Sequence, residues 1–181
     1  NRRYTSAQYR DMIDRIRDIV PEAAVTSDFI VGFSSETEED FQETVDLVRS
    51  GRFKNSFIFK YSEREGTKAA EQYDDDVPYS VKQRRNNELL AVQDEVSSEQ
   101  NQLFVGRRVE VLVTGASKTA SKHADEHNSS DTIQLTGRTS CDRIVVFDGP
   151  LDWTGRFIDV EIEKASTLTL FGQRVSRDSS D

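Results

Sequence analysis

The chain has 181 residues, a net charge of −9 and a single cysteine, and 35% of its residues are apolar. This composition predicts a soluble globular chain of one or two domains, and one cysteine excludes both an internal disulfide framework and a cysteine-based metal site held by this chain alone. No apolar run reaches the roughly 18 residues that a membrane span needs, and no signal-peptide pattern opens the chain. We therefore expect a cytoplasmic protein without membrane association.

Helix and strand patterns alternate over residues 1–105. A capping box at Thr5 and Gln8 precedes apolar residues at helical spacing, and Pro21 ends this first helix. The pattern then predicts a strand over 24–32, a helix over 37–50 that Gly51 closes, a strand over 55–61 and a long helix from 80 to about 104. Such alternation is typical of parallel strands, so we interpret residues 1–105 as the C-terminal part of a (β/α) barrel.

The hydrophobic period changes to two after Gly106. Short strands are predicted over 109–113, 133–138, 144–147, 157–163 and 168–173. Five short strands in so few residues indicate a small antiparallel barrel of the oligonucleotide-binding kind, which we assign to residues 106–175. Residues 116–132 are predicted to be a long loop without fixed structure, and residues 176–181 a disordered tail.

Residues 27–41 read SDFIVGFSSETEEDF and predict a buried strand, Gly32, a polar turn and a helix that begins at Thr37. Ligands of parallel α/β units bind at the carboxyl ends of strands, and a glycine there lets another molecule approach the backbone. The residues alone leave a purely structural turn and a ligand-contacting turn equally open.

This segment resembles the TDIIVGFPGETEEDF segment of the radical S-adenosylmethionine (SAM) methylthiotransferases. Further similar stretches follow in the family's order and cover roughly residues 1–174: RRYT from residue 2, YSEREGTKAA from 61, VGRRVEVLV from 105 and GRT from 137. Two turns depart from the family pattern, since Ser34 and Ser35 replace Pro-Gly, and Glu65 and Lys68 replace prolines. The run GRTSCDRIVVF is most similar to the MiaB-type branch, which methylthiolates isopentenyladenosine beside the tRNA anticodon.

The resemblance implies SAM and two four-iron, four-sulfur (4Fe-4S) clusters as cofactors of the parent enzyme. It implies that Arg2 pairs with the SAM carboxylate and that Ile30, Val31 and Gly32 contact its adenine. The cysteines that hold the clusters are not in this chain, so we expect a fragment that lacks the N-terminal cluster-binding region, binds no cofactor alone and is inactive. We assign it no catalytic residue and no metal ligand.

The resemblance also identifies residues 106–175 as a TRAM domain that binds the tRNA anticodon arm. Basic side chains for phosphate contacts are Arg107, Arg108, Lys118, Lys122, Arg138 and Arg143. Phe147 is predicted to lie in the core, and Trp153 is predicted to be exposed.

Two other readings remain open, a RimO-type enzyme that modifies a ribosomal protein and a noncatalytic RNA-binding module. Cys141 is interpreted as a small, partly buried apolar residue, and His123 and His127 as solvated loop residues. A hydrolytic pair made of Asp28 and Glu36 is disfavoured, because no aromatic sugar-binding set accompanies it. The acidic residues 74–76 are interpreted as a solvated turn.

Overall fold

The computed structural model describes residues 4–122 and 132–175, with only the backbone described at Ser121 and Lys122. The chain divides into two compact units, Asn1–Ser97 and Ser98–Asp181, which we call the N-terminal and C-terminal units. Within the described ranges, no helix is both long and apolar enough to cross a membrane.

Helices and two parallel strands form the N-terminal unit. In chain order they are α1 (Ser6–Ile19), β1 (Thr26–Val31), α2 (Glu38–Gly51), β2 (Asn55–Lys60), α3 (Lys68–Gln72) and α4 (Tyr79–Gln102), which continues into the C-terminal unit. β1 and β2 pair in parallel from Thr26 with Asn55 to Val31 with Lys60. The parallel pairing predicted from the alternation is therefore confirmed.

Side-chain caps explain where the first two long helices begin. The capping boxes at Thr5 with Gln8 and at Thr37 with Asp40 are both formed. At the other end of α2, the left-handed residue is Arg52, with φ 47°. The prediction that Gly51 follows the helix as its cap is wrong by one residue: Gly51 is the last residue of the helix, and Arg52 takes the capping position.

One face of the β1–β2 sheet is buried against the helices. Its core contains Phe29 and Val31 of β1 together with apolar residues of α1, α2 and α4. Alternation in a strand sends successive side chains to opposite faces, so Ile30, Phe57 and Phe59 are exposed on the other face. This second face of the sheet is apolar and open within the N-terminal unit.

A closed five-stranded barrel forms the C-terminal unit, as predicted. Its strands are β3 (Arg108–Ala116), β4 (Ile133–Thr139), β5 (Ile144–Gly149), β6 (Phe157–Ala165) and β7 (Thr169–Arg174), in the spatial order β3-β4-β5-β7-β6. All neighbours are antiparallel except β5 and β7, which pair in parallel. The expectation of a wholly antiparallel barrel is wrong at this pair, because β6 runs back to join β3 and β7 then returns in the direction of β5.

The end of α4 belongs to the barrel unit. Asn101 donates hydrogen bonds from its side-chain amide to the carbonyls of Ser166 and Thr167, at 2.8 and 2.9 Å, and Phe104 lies in the barrel core. The division after Ser97 therefore precedes the predicted boundary between residues 105 and 106.

The predicted loop over 116–132 is wrong for its first part. β3 extends to Ala116, and a short helix, α5 (Lys118–Lys122), follows. The Ser117 hydroxyl caps it by accepting a hydrogen bond from the backbone N–H of Ala120 at 3.1 Å. Residues 123–131, with both histidines, and the predicted disordered tail 176–181 lie outside the described residues.

Candidate functional site

The turn after β1 depends on a glycine that another side chain crowds. Gly32 has φ +71°, and a Cβ built on it would lie 2.4 Å from Cγ of Lys82. The Gly32 backbone N–H donates a 2.6 Å hydrogen bond to Oε2 of Glu36. Contacts within the chain are therefore sufficient to explain why a glycine stands here: the backbone has a positive φ, and the Lys82 side chain occupies the space that a Cβ would need.

Glu36 is held in a nearly buried ion pair. Arg85 of α4 donates from Nη1 to Oε2 of Glu36 at 2.7 Å and to the Glu36 carbonyl at 3.0 Å. The side chains of Arg85 and Glu36 are 5% and 11% exposed. Because Glu36 is committed to Arg85 and Gly32, while Asp28 lies exposed in β1, the two carboxylates do not form a hydrolytic pair.

Lys82 links the loops that follow β1 and β2. Its buried ammonium group forms an ion pair with Asp75 and donates a 3.3 Å hydrogen bond to the carbonyl of Tyr61. Tyr61 directly follows β2, and the Lys82 stem lies against Gly32 at the end of β1. One side chain of α4 thus ties together the carboxyl ends of both strands.

Asp76, which follows Asp75 in the chain, holds the turn at Ser34 and Ser35, where the sequence departs from the family pattern. Ser35 has φ +62°, a conformation that favours glycine. Asp76 accepts 2.7 and 3.1 Å hydrogen bonds from the backbone N–H and hydroxyl of Ser35. The backbone N–H of Ser35 lowers the pKa of the Asp76 carboxyl. Asp75 and Asp76 are exposed, as the prediction of a solvated turn requires, and their carboxylates also engage Lys82 and Ser35.

The two cofactor-contact candidates of β1, Ile30 and Val31, point to opposite faces of the sheet. Ile30 lies on the open sheet face and lines, with Tyr4, Thr26, Ser27 and Asp28, a depression of about 520 Å³. Val31 is fully buried against the helices. Its side chain is therefore unavailable to a ligand on the open face, which corrects the expectation of a side-chain contact there. Arg2 lies outside the described residues.

A second polar contact lies where α4 begins. The ammonium group of Lys60 donates a 2.9 Å hydrogen bond to the hydroxyl of Tyr79. This contact lowers the pKa of the Tyr79 phenol. Lys60, Tyr79, Lys82 and Asp75 share the lining of one cavity of about 460 Å³ at this edge of the sheet.

Most of the basic candidates in the barrel unit are exposed. Arg108 pairs with Asp159 at 3.0 Å, and Arg138 pairs with Asp142 at 3.1 Å. Arg107 and Lys118 are exposed, and the side chain of Lys122 lies outside the described part. Arg108 and Arg138 therefore lie on the surface, and a carboxylate engages part of each guanidinium group.

Arg143 is not available to a phosphate. Its side chain is buried, donates a hydrogen bond to Oδ1 of Asn101 and lies 4.5 Å from the ring centroid of Phe104. Arg143 thus holds the end of α4 on the barrel. We correct the expectation that it contacts RNA, because a buried guanidinium with these partners cannot reach a polyanion.

The aromatic candidates divide as follows. Phe147 is buried in the barrel core, as predicted. Trp153 is half-buried and packs over Gly149, where an added Cβ would lie 2.7 Å from its ring. Arg174 covers the indole at 5.0 Å. The prediction of an exposed Trp153 is wrong, because the short 3-10 turn Leu151–Trp153 folds the ring onto the barrel.

No metal centre is visible in the described ranges. They contain no group of three or more His, Cys, Asp or Glu side chains that could hold a metal ion. Cys141 is half-buried and packs against the barrel core, as its interpretation as a small, partly buried apolar residue predicts. Sequence reasoning did not predict that Glu36, Lys82 and Arg85 hold the ends of β1 and β2. Glu36 lies far from Lys82 and Arg85 along the chain, and the sequence does not show that α4 meets this turn in the fold.

Residues 102–175 match the TRAM domain family. Over 172 residues the chain is 56% identical to the tRNA-2-methylthio-N(6)-dimethylallyladenosine synthase of Rhodopirellula baltica, and the alignment covers 95% of this chain and 35% of that protein. Relatives with the same name from Parabacteroides distasonis and Bacteroides fragilis are 44% and 43% identical over 175 residues, or 97% of the chain. The chain spans 36% of the length of these two proteins.

Proposed function

Because this chain belongs to the MiaB-type methylthiotransferase family, we propose that it is part of an enzyme that adds a methylthio group to isopentenyladenosine beside the tRNA anticodon. The observation that carries this proposal is the identity to relatives named for this product, which extends through both units. We place the reaction in the cytoplasm. The RimO-type alternative is less well supported, because the relatives compared above are all named as tRNA-modifying synthases.

We interpret the N-terminal unit as the closing part of a radical SAM barrel. The support is its parallel strand pair, whose exposed apolar face requires a neighbour that this unit does not supply. In the parent protein this face would look into the barrel and carry Ile30 toward the cofactor. The remainder of the barrel and its N-terminal cluster-binding region would come from another part of the same protein.

The fit of the cofactors to these residues differs between SAM and the clusters. Bound SAM and the two 4Fe-4S clusters would supply the radical chemistry and the sulfur. An adenosine fits the depression beside Ile30, which combines an aliphatic side chain with the polar groups of Ser27 and Asp28. The clusters do not fit this chain, since Cys141 is its single cysteine and cluster binding needs several thiolates.

Within this site, side chains of the chain hold particular backbone groups in place by hydrogen bonds. Glu36 fixes the Gly32 N–H, and Lys82 fixes the Tyr61 carbonyl. Cofactor contact by this segment therefore falls to the Ile30 side chain, with Arg2 retained as the predicted partner of the SAM carboxylate. Gly32 and Val31 support this arrangement from the buried side.

We assign tRNA binding to the C-terminal unit. Arg107, Arg108, Lys118 and Arg138 are exposed basic side chains on or beside the TRAM barrel, and Lys122 remains a further prediction. Phosphate contacts by such side chains position an RNA without reading its sequence. Taken alone, the chain would act as an RNA-binding module and not as a catalyst.

The assignment is tested by titrating the full chain with unmodified tRNA at several salt concentrations. We expect affinity to fall as salt rises, because each phosphate contact releases counterions. Arg138→Gln should reduce the log–log slope by about one, whereas Arg49→Gln, an exposed ion-paired arginine of the N-terminal unit, should leave it unchanged. Absence of binding at low salt, or binding indifferent to salt, would remove the tRNA-binding role from this unit.

A further inference from the structure

A row of outward-facing side chains crosses three adjacent strands of the barrel. Phe157 of β6 is in register with Leu112 of β3, and Leu112 is in register with Arg138 of β4. Phe157 is 61% exposed and Leu112 is 36% exposed, and the Arg138 side chain is also accessible. We call these three residues the β6–β3–β4 row.

The barrel core does not require this row. Val111, Val113 and Val160 point inward from the same strands and are almost completely buried. The next outward positions along the two strands are polar or charged, as a solvent-facing barrel surface predicts: Glu110 and Thr114 on β3 and Asp159 on β6. An exposed aromatic ring opposite an exposed leucine therefore departs from the pattern of the surrounding surface.

Arg138 brings a fixed guanidinium to the end of this apolar pair. Its Nη1 donates hydrogen bonds to the carbonyl and to Oδ1 of Asp142, both at 3.1 Å. Neighbouring strands lie about 4.8 Å apart, so the β4 backbone is roughly 10 Å from that of β6. A nucleotide base lying over the apolar pair would thus have its backbone within reach of Arg138.

We propose that Phe157 and Leu112 form a stacking surface for an unpaired base of the bound RNA, with Arg138 at the adjoining phosphate. A flat ring beside a basic group is the combination that single-stranded nucleotides need. The inference rests on the proposed tRNA-binding function and adds a base contact to the phosphate contacts. An RNA base suits the row better than a protein, since the exposed apolar surface is only one pair of side chains, whereas stable protein interfaces bury roughly 1,200 Å² or more.

The test compares two RNA probes with variants of the full chain. The probes are an anticodon stem–loop and a blunt duplex with the same stem. Phe157→Leu should weaken binding of the stem–loop by about tenfold, because it removes the ring but keeps an apolar side chain, and Phe157→Trp should retain it. Neither variant should change the salt slope or the binding of the duplex, which offers no unpaired base.

Leu168→Ala is the matched control, since Leu168 is also 61% exposed in the same unit but lies outside the row. It should bind the stem–loop as the unaltered chain does. Circular dichroism checks that each variant is folded. As a measurement without substitution, ultraviolet cross-linking of the unaltered chain to the stem–loop should leave a nucleotide on the peptide that contains Phe157.

Stem–loop binding by Phe157→Leu equal to that of Leu168→Ala would overturn the inference, as would equal losses on both probes or adducts confined to other peptides. A variant that loses association with another protein, while RNA binding is unchanged, would instead assign the row to a protein contact. If the unaltered chain binds neither probe at low salt, the proposed tRNA-binding function fails and this inference fails with it.

Discussion

Gly32 illustrates how a family motif residue can be explained by contacts inside the chain. Its positive φ excludes most side chains on backbone grounds, and Lys82 fills the space that a Cβ would need. Moving the Lys82 side chain away from Gly32 would break its ion pair with Asp75 and its hydrogen bond to the Tyr61 carbonyl, and would therefore cost free energy. A valine placed at Gly32 would therefore disturb the fold itself, so such a variant cannot isolate a cofactor contact.

Gly32→Ala is expected to destabilise the N-terminal unit by clearly more than Gly66→Ala. Gly66 has a similar φ of +77° but nothing within 4 Å of its added Cβ, so it should lose only about 1 kcal/mol for the left-handed backbone. Urea unfolding followed by circular dichroism measures both. Equal losses for the two variants would show that the Lys82 contact does not constrain Gly32.

The Arg85–Glu36 pair gives a second prediction at this scale. Glu36→Gln leaves the buried Arg85 paired only with the exposed Glu38, at 3.1 Å, so the variant should lose about 2 kcal/mol, the usual contribution of a hydrogen bond to a charged group. Glu88→Gln should cost less than about 0.5 kcal/mol, because its pair with Arg84 is exposed. Hydrogen exchange of peptides spanning residues 29–41 measures the local effect, and equal protection in both variants would refute the role of Glu36.

At the scale of elements, the start of α2 depends on hydrogen bonds between neighbours in the chain. The Thr37 backbone N–H and hydroxyl both donate to Asp40 at 2.9 Å, while the Asp40 backbone N–H donates to the Thr37 hydroxyl at 3.1 Å. The backbone N–H of Thr37, followed by its hydroxyl, lowers the pKa of the Asp40 carboxyl. The charged form of Asp40 is therefore the one that the folded chain stabilises.

Thr37→Ala should lower the stability of the N-terminal unit by about 1 kcal/mol, the usual effect of losing an N-cap hydroxyl. Thr44→Ala on the same helix is the control, since the Thr44 hydroxyl donates only to the Asp40 carbonyl within α2. Both are measured by urea unfolding. A Thr37→Ala chain as stable as Thr44→Ala would contradict the cap.

Asp40 also predicts a pH dependence. Because its folded-state pKa lies below the unfolded value, its stabilisation is complete above the unfolded pKa and is lost as pH falls through the folded pKa. Asp40→Asn should therefore melt below the unaltered chain at neutral pH, with a gap that closes in acid. Asp46→Asn is the control on the same helix, and a gap independent of pH would contradict the assignment.

At the scale of the whole molecule, features set by neighbouring residues could be predicted from the sequence. The capping box at Thr5, the start of a helix at Thr37 and the change to a two-residue period after Gly106 are signals of this kind, and the structure confirms them. They were sufficient for an α/β unit followed by a small barrel. They could not reveal the parallel β5–β7 pair, because β7 runs parallel to β5 only as a result of β6 pairing with β3 before the chain turns back into β7.

The site depended on contacts that carry no local signal. Glu36 and Arg85 meet across 49 positions in the chain, and Arg143 meets Asn101 across 42. Arg143 therefore looked like any other basic residue of the barrel, although Asn101 and Phe104 bury it. Composition supplies the charge of a side chain, whereas its accessibility follows only from tertiary packing.

The measurement that tests the central claim most directly is mass spectrometry of tRNA nucleosides from a strain in which the gene encoding this chain is deleted. We predict loss of the methylthio group from isopentenyladenosine while the isopentenyl group remains, and restoration by the intact gene. Unchanged methylthiolated nucleoside in the deletion strain, with loss of a methylthio group from a ribosomal protein instead, would contradict the assignment to tRNA.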